Sequence, residues 1–129
     1  MGIAVMWDTE LKEIICQNYE LEWDWDEYQA AFAKTCQLAH EVEYPIGLIA
    51  EVADMKHIPP GAIIHGARAI FSLPSNIVLS VVITRSGLAK SILNLILQAT
   101  QFKNVIYATN RDEARIYIRT KLDRLYTEV

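Results

Sequence analysis

The 129-residue chain contains only two cysteines, four prolines and five glycines. Cys16 and Cys36 have no metal-ligand spacing between them, so we expect two buried free thiols in a reducing compartment in preference to a disulfide. The longest apolar runs cover about eight residues, too few to span a bilayer. Residues 1–8 lack a basic segment and a cleavable apolar run. These absences predict a cytoplasmic protein without a membrane span.

Acidic residues are missing from a long central part of the chain. Residues 55–101 contain four basic residues and no acid, whereas residues 1–54 contain twelve acids against Lys12 and Lys34, a balance of −10. This asymmetry predicts either an anionic ligand or an association of unlike faces. The alternative is that the acidic and basic segments lie side by side in the fold, so that their charges offset each other. Because the net charge is −4 and no basic stripe alternates with aromatics, nucleic acid is not an expected partner.

What the sequence does have is a regular alternation of apolar patterns. Ile3–Trp7 and Ile14–Leu21 are predicted strands joined by a short loop, which favours an antiparallel hairpin. Helix and strand patterns then alternate, which predicts parallel strands with right-handed crossovers. The expected fold is one α/β domain over residues 1–129, in which an N-terminal β-hairpin leads into a mostly parallel five-stranded sheet with about four helices. The later predicted strands cover residues 46–53, 77–84 and 105–109, and the helices begin near residues 24, 62, 88 and 110.

Two of the predicted helices have apolar residues that indicate a buried face. For the helix over Ala62–Ser72, the residues expected to face the core are Ile63, Ala67, Ile70 and Phe71. For the helix from Leu88 to about Thr100, they are Leu88, Ile92, Leu95, Ile96 and Ala99. Leu93 and Leu97 lie on roughly the opposite side, and they predict a contact with a protein partner or a second copy in a homodimer. The alternative is that they are isolated exposed leucines.

Polar residues are expected at one edge of the sheet, because parallel α/β sheets hold their sites beyond the carboxyl ends of the strands. The loops predicted there carry Asp54, Lys56, His57, Arg85, Ser86, Asn110 and Arg111. Ser86 and Gly87 begin a predicted helix, whose free amides and dipole can bind a small anion beside Arg85, Lys56 and His57. The alternatives are that Ser86 is a plain helix cap and His57 a solvated loop residue.

No known catalytic or cofactor motif is complete. No glycine-rich phosphate loop follows a strand, and Ser86 lacks the preceding glycine of a nucleophile elbow. His40, His57 and His65 have neither the spacing nor the cysteine partners of a zinc site. We therefore expect no metal and no cofactor. An enzyme in which His57 is a base oriented by Asp54 is the least favoured hypothesis.

Three short motifs carry a resemblance to a known family. They are the Trp23–Glu27 segment leading into the first helix, the strand that ends on Asp54, and Asp112–Ala114 near the start of the last helix. With the β-hairpin and three α/β units, the chain resembles STAS-like domains related to bacterial anti-sigma-factor antagonists. The resemblance implies a non-enzymatic regulatory or protein-binding domain with strands in nearly sequential order.

The segment after Asp54 departs from the pattern of this family. Typical antagonists carry a phosphorylatable serine in an Asp-Ser-Ser/Thr-Gly segment directly after that strand. Here Met55 and Lys56 follow Asp54, so a serine phosphorylation switch is not expected in this loop. The leading hypothesis is a cytoplasmic protein-binding module, and the alternative is a small-molecule or anion-binding protein that uses the carboxyl-end loops.

Overall fold

The structure, a computed structural model, describes residues 2–52, 60–100 and 104–127. Its elements follow the predicted order along the chain. The strands are β1 (Ile3–Trp7), β2 (Ile14–Tyr19), β3 (Ile46–Val52), β4 (Ile77–Ile83) and β5 (Val105–Ala108). The helices are α1 (Trp25–His40), α2 (Ala62–Ser72), α3 (Gly87–Thr100) and α4 (Arg111–Thr127).

The five strands form one sheet in the sequential order β1-β2-β3-β4-β5. The β1–β2 pair is antiparallel and the other three pairs are parallel, which confirms the predicted fold class. Successive right-handed crossovers between neighbouring parallel strands place their helices on one face of a sheet. Accordingly α1, α2 and α3 cover one face, and α4, which follows the last strand, covers the other.

The α4 face is filled by large aliphatic side chains. α4 contributes Ala114, Ile118 and Leu122, and the strands contribute Ile14, Cys16, Ile49, Leu79, Val81, Ile83 and Ala108. Gly47 on β3 lies directly under Ile118, and a β-carbon at this position would collide with that side chain. The absence of a side chain at Gly47 therefore lets α4 approach the sheet closely.

A row of arginines connects α4 to the central strand β3 and to the loop between β1 and β2. Arg111, Arg115 and Arg119 recur at a spacing of four, so they lie along one side of the helix. Their partners are Glu51, Asp8 and Glu13, at N–O distances of 2.5, 2.8 and 2.7 Å. Arg115 binds both carboxylate oxygens of Asp8, and these hydrogen bonds hold the pKa of Asp8 below its usual value.

α1 packs on β1 and β2 through small residues. Asp24 caps it by accepting a hydrogen bond from the Glu27 amide at 2.8 Å, as its position predicts. Thr35 is fully buried, and its hydroxyl accepts a hydrogen bond from Gln17 Nε2 at 2.8 Å.

Both cysteines are free, as predicted, but only Cys16 is buried. Cys36 is half-buried, since the helix turns it away from the buried side that holds Thr35 and Ala39. Burial raises the pKa of the Cys16 thiol to about 11. The Cys16 side chain therefore stays a neutral thiol near neutral pH.

The predicted core faces of α2 and α3 are partly wrong. Phe71 is 74% exposed, and Leu88 and Leu95 are 47% and 51% exposed. Leu93, expected on the outer side of α3, instead faces the sheet with Ile96. The reason is that α2 and α3 pack on each other, with Gly66 against Ile96. The packing of this helix pair, and not the apolar stripe of each single helix, selects the inward faces.

Candidate functional site

An apolar cavity lies between the sheet and the helix pair α2–α3. Its volume is about 210 Å³. The sheet side of its lining includes Leu48, Ala50, Val52, Ser80, Val82 and Val105, and the helix side includes Ala62, Gly66, Ala69, Ile70, Ala89, Ile92, Leu93 and Ile96. None of its described lining residues is charged. This arrangement favours an apolar molecule and not an ion.

Small side chains on both walls explain why this space stays open. On β3 and β4, Ala50 and Ser80 point toward the cavity, while the larger Ile49 and Val81 belong to the α4 core. Opposite them, Ala69 and the other small residues of α2 line the cavity. Because both walls carry small side chains at these positions, part of the space between the larger lining residues is left unfilled.

Four of the five aromatic side chains that line the cavity contact one another, and the fifth is Phe32. The four are Tyr19, Trp23, Trp25 and Tyr28. The rings of Tyr19 and Trp23 meet edge to face at 5.5 Å between centroids, and those of Trp23 and Trp25 do so at 5.0 Å. Trp25 and Tyr28 make a third edge-to-face contact at 5.2 Å. Edge-to-face pairs of this kind stabilise one another, so they form an ordered aromatic wall.

Trp25 also holds the beginning of α2. Its indole Nε1 donates a hydrogen bond to the Pro60 carbonyl oxygen at 2.6 Å. Its ring stacks on His65 with a centroid distance of 4.2 Å and an interplanar angle of 12°. The aromatic wall is therefore connected to the helix pair at the α1 side of the cavity.

A tyrosine makes the corresponding connection at the opposite edge of the sheet. The Tyr107 hydroxyl on β5 donates to the Lys90 carbonyl at 2.9 Å and lies 3.2 Å from Asn94 Oδ1. The helix pair is thus tied at its two sides, by Trp25 and by Tyr107. Between these ties it spans the cavity without filling it.

The polar atoms of the cavity are few and neutral. Tyr19 donates its hydroxyl hydrogen to Gln17 Oε1 at 2.8 Å, and Ser80 adds a second hydroxyl to the lining. Burial raises the pKa of Tyr19, and it raises the pKa of Tyr28 to about 12. Both phenols therefore stay protonated at neutral pH. Such groups can orient a ligand's hydroxyl or carbonyl group without binding a charge.

A separate polar cleft of about 530 Å³ lies at the carboxyl ends of the strands, where sequence analysis placed a site. It brings Arg85 together with Thr109, Asn110 and Arg111. Arg111 is engaged there by Asn18 and by the salt bridge to Glu51. The cleft thus contains both signs of charge.

The other residues of the predicted anion site do not lie together in this cleft or fall outside the described residues. Ser86 and Gly87 are not part of the cleft lining. The Ser86 hydroxyl accepts a hydrogen bond from the Ala89 amide at 3.2 Å, which is the geometry of a helix cap. A β-carbon at Gly87 would contact nothing within 4 Å. Lys56 and His57 lie outside the described residues, as do Asp54 and Met55.

Three further predictions concern metal binding, membrane spans and association. Within residues 2–52, 60–100 and 104–127, no three histidine, cysteine or acidic side chains come together as a metal site would require. In the same parts of the chain, no helix combines the length and the apolarity needed to cross a membrane. Leu93 lines the cavity and Leu97 is half-buried, so the predicted partner contact through these two leucines stays untested.

The aromatic wall is the part of the site that sequence analysis missed. The residues around Trp23 and Trp25 predict a strand end that runs into the capped helix α1 or, alternatively, a partner-binding edge, and not the wall of a cavity. One available signal was the alternation of residue size in the buried strands, with Ile49 next to Ala50 and Ser80 next to Val81. A strand with large residues on one face and small ones on the other can border a cavity.

Comparisons with known proteins assign no family. No protein-family model matches the chain, and no curated protein or solved structure is significantly similar to it. The STAS-like resemblance therefore rests on the layout and the three short motifs alone.

Proposed function

We propose that this protein is a non-enzymatic binding module, STAS-like in its layout, that holds an apolar small molecule between its sheet and the helix pair. The observation that supports the proposal is the uncharged cavity of about 210 Å³ bordered by Ala50 and Ala69. Empty apolar space lowers stability, because the atoms that border it lose packing contacts. A ligand that fills the space restores those contacts.

The size of the cavity limits the ligand. Ordinary ligand pockets measure about 300–1,000 Å³, so this one is small. An apolar cavity of about 150 Å³ is enough to hold benzene. The expected ligand therefore has one or two rings or a short alkyl chain. The aromatic wall favours a flat ring, and the Tyr19 oxygen, whose hydrogen is donated to Gln17, favours a single hydroxyl group that donates to it.

A regulatory role is part of the proposal. We place the module in the cytoplasm and expect a protein partner to respond to its ligand state, as the STAS-like resemblance implies. The helix pair is the element through which such a response would pass, since it is tied to its surroundings by Trp25 and Tyr107. A ligand that separates α2 from the sheet would change the surface that this pair presents.

Fluorescence titration with 1-naphthylamine, a two-ring apolar probe that is neutral at pH 7, tests the proposal. We expect saturable, blue-shifted emission with the wild-type chain. Ala69→Leu places extra side-chain volume in the cavity and should weaken probe binding at least about tenfold. The same variant should be more stable by about 1 kcal/mol, because it fills the empty space. Urea unfolding measures that gain.

Ala33→Leu is the matched control, since it makes the same change on an exposed position of α1. It should bind the probe like the wild type. Equal probe binding by the Ala69→Leu and Ala33→Leu variants would place the probe elsewhere and reject the cavity as the binding site. Absence of saturable binding to the wild type would also reject the proposal.

A further inference from the structure

Ser80 lines the cavity with a hydroxyl group that has no partner in the described part of the chain. It lies in the middle of β4 and is only 7% exposed. Its amide is paired, since it donates to the Asn104 carbonyl oxygen at 2.9 Å. Its hydroxyl group makes no hydrogen bond with another described residue. A hydroxyl group held among apolar groups without a hydrogen bond costs free energy, so its presence needs a reason.

The Ser80 oxygen borders open space. Among the described residues, every side-chain nitrogen or oxygen atom that is fully enclosed by protein has a hydrogen-bond partner. Because the Ser80 oxygen has none there, it is not fully enclosed, and the open space that Ser80 borders is the cavity. The hydroxyl group is therefore available to a molecule inside the cavity.

Small volume alone does not account for a serine at this position. Ala50 on β3 also borders the cavity, and it leaves the space open without a polar group. An alanine at position 80 would avoid the cost of the unpaired hydroxyl group. A bound molecule that forms a hydrogen bond with Ser80 removes that cost and explains the residue.

The aromatic wall supplies polar groups at a second place in the cavity. Tyr19 donates its hydrogen to Gln17, which leaves the Tyr19 oxygen as an acceptor. Burial raises the pKa of Tyr19, and the nearby Tyr28 hydroxyl raises it further. The Tyr28 hydroxyl itself makes no hydrogen bond with another described residue, although Tyr28 lines the cavity. A ligand's hydroxyl group can therefore donate to Tyr19 and accept from Tyr28.

The register of the sheet sets the distance between the two polar places. Gln17 pairs with Ala50, and Ala50 pairs with Val82, so this row of residues crosses β4 two residues beyond Ser80. Ser80 lies two strands from Gln17, which is about 10 Å across the sheet and about 7 Å along it. The two backbone positions are therefore about 12 Å apart. One aromatic ring with polar groups at opposite ends, and a hydrogen bond of about 2.8 Å at each end, has a comparable span.

We infer that Ser80 determines the ligand specificity of the cavity, and that the ligand is a phenol with a second hydroxyl or a carbonyl group at the opposite end of its ring. The phenol hydroxyl binds at Tyr19 and Tyr28, and the second group binds Ser80. A purely apolar molecule of the same size leaves the Ser80 hydroxyl unpaired and is disfavoured. This inference rests on the proposed function and narrows its ligand class.

Competition against 1-naphthylamine with two matched ligands tests the role of Ser80. 4-Hydroxybenzyl alcohol carries a second hydroxyl group opposite its phenol hydroxyl, and 4-ethylphenol has a methyl group in its place. The measured quantity is the ratio of their inhibition constants, in the wild type and in Ser80→Ala. In the variant this ratio should shift toward 4-ethylphenol by about fivefold or more, because the second hydroxyl group is then buried without a partner.

Ser75→Ala is the matched control, since Ser75 is exposed and does not line the cavity. It should keep the wild-type ratio. With 3-hydroxybenzyl alcohol, whose second group is not opposite the first, the shift caused by Ser80→Ala should be smaller. The Ser80→Ala protein should also unfold at the same urea concentration as the wild type or at a higher one, because the change removes a hydroxyl group that no described residue binds.

Several results would overturn the role of Ser80 alone. One is an unchanged ratio in Ser80→Ala while both ligands still displace the probe. Others are an equal shift in Ser75→Ala, and displacement from the wild type by 4-ethylphenol but not by 4-hydroxybenzyl alcohol. A loss of urea stability in Ser80→Ala would assign the hydroxyl group to folding. Absence of saturable probe binding to the wild type would instead reject the proposed function, and this inference with it, so the two failures are distinguished.

Discussion

The two faces of the sheet differ in how they meet their helices. On one face, α4 sits directly on the strands, with Ile118 fully buried over Gly47. On the other, α2 and α3 stand away from strands that carry Ala50 and Ser80. The same β3 and β4 strands supply both surfaces. Side-chain volume, not apolar character, therefore decides whether a helix packs tightly or leaves a cavity.

The two faces also differ in the charge of the groups that connect each helix to its surroundings. Three arginines of α4 form salt bridges with Glu51, Asp8 and Glu13. The helix pair is connected to its surroundings through neutral groups, the Trp25 indole and the Tyr107 hydroxyl. Hydrogen bonds between neutral groups are easier to break than salt bridges, because breaking them leaves no charged side chain without a partner. We therefore expect the helix pair to separate from the sheet at a lower free-energy cost than α4.

The largest expected effect comes from truncating one apolar side chain on each face. Ile118→Ala should lower the free energy of unfolding by about 3–4 kcal/mol, because the tightly packed α4 face cannot collapse around the new space. Leu93→Ala, at a half-buried position beside the existing cavity, should cost about 2 kcal/mol, the lower end for a leucine truncation. Urea unfolding of both variants measures the difference. Similar losses would mean that the helix pair is packed as tightly as α4.

A second, smaller effect concerns the salt bridge on the α4 face. Asp8→Asn should lower the free energy of unfolding by about 2 kcal/mol at pH 7, since Asp8 accepts two charge-assisted hydrogen bonds from Arg115. The pKa of Asp8 is lowered in the folded protein. Its contribution is therefore fully present above the unfolded pKa of about 4 and is lost as the pH falls through the lower folded value.

The measurement for Asp8 is the unfolding free energy of both proteins between neutral and acidic pH. The difference in unfolding free energy between the wild type and the variant should become smaller below about pH 4. Asp112→Asn is the control, because Asp112 also contacts Arg115 but its side chain is 90% exposed. It should change stability little at any pH. If this difference in unfolding free energy stayed constant down to acidic pH, Asp8 would act by packing and not by its charge.

The smallest expected effect tests the anion site predicted at the carboxyl ends of the strands. If Arg85 binds an anion in the polar cleft, millimolar sulfate should raise the melting temperature by about 2 °C, because the ion binds only the folded state. Arg85→Ala should abolish that rise, and Lys34→Ala should not. The same rise in both variants would identify general salt exclusion. The cleft would then have no specific anion site.

The order of the elements, the antiparallel hairpin and the parallel remainder of the sheet were determined by the sequence itself. Apolar periodicity and loop length are properties of neighbouring residues, so they can be read from one segment at a time. Helix caps are equally local: Asp24, Ser86 and Asn110 each accept a hydrogen bond from an amide in the first turn of the next helix.

Only the tertiary structure decided where the cavity lies and what borders it. Whether Ala50 leaves a space depends on the sizes of the residues across the cavity, Ala69 among them, and those residues lie on other elements. For the same reason, Leu93 faces inward and Leu95 outward, although both lie within one apolar segment of α3. The fit of side-chain volumes across two elements is a property of their contact, and no single segment of the sequence contains it.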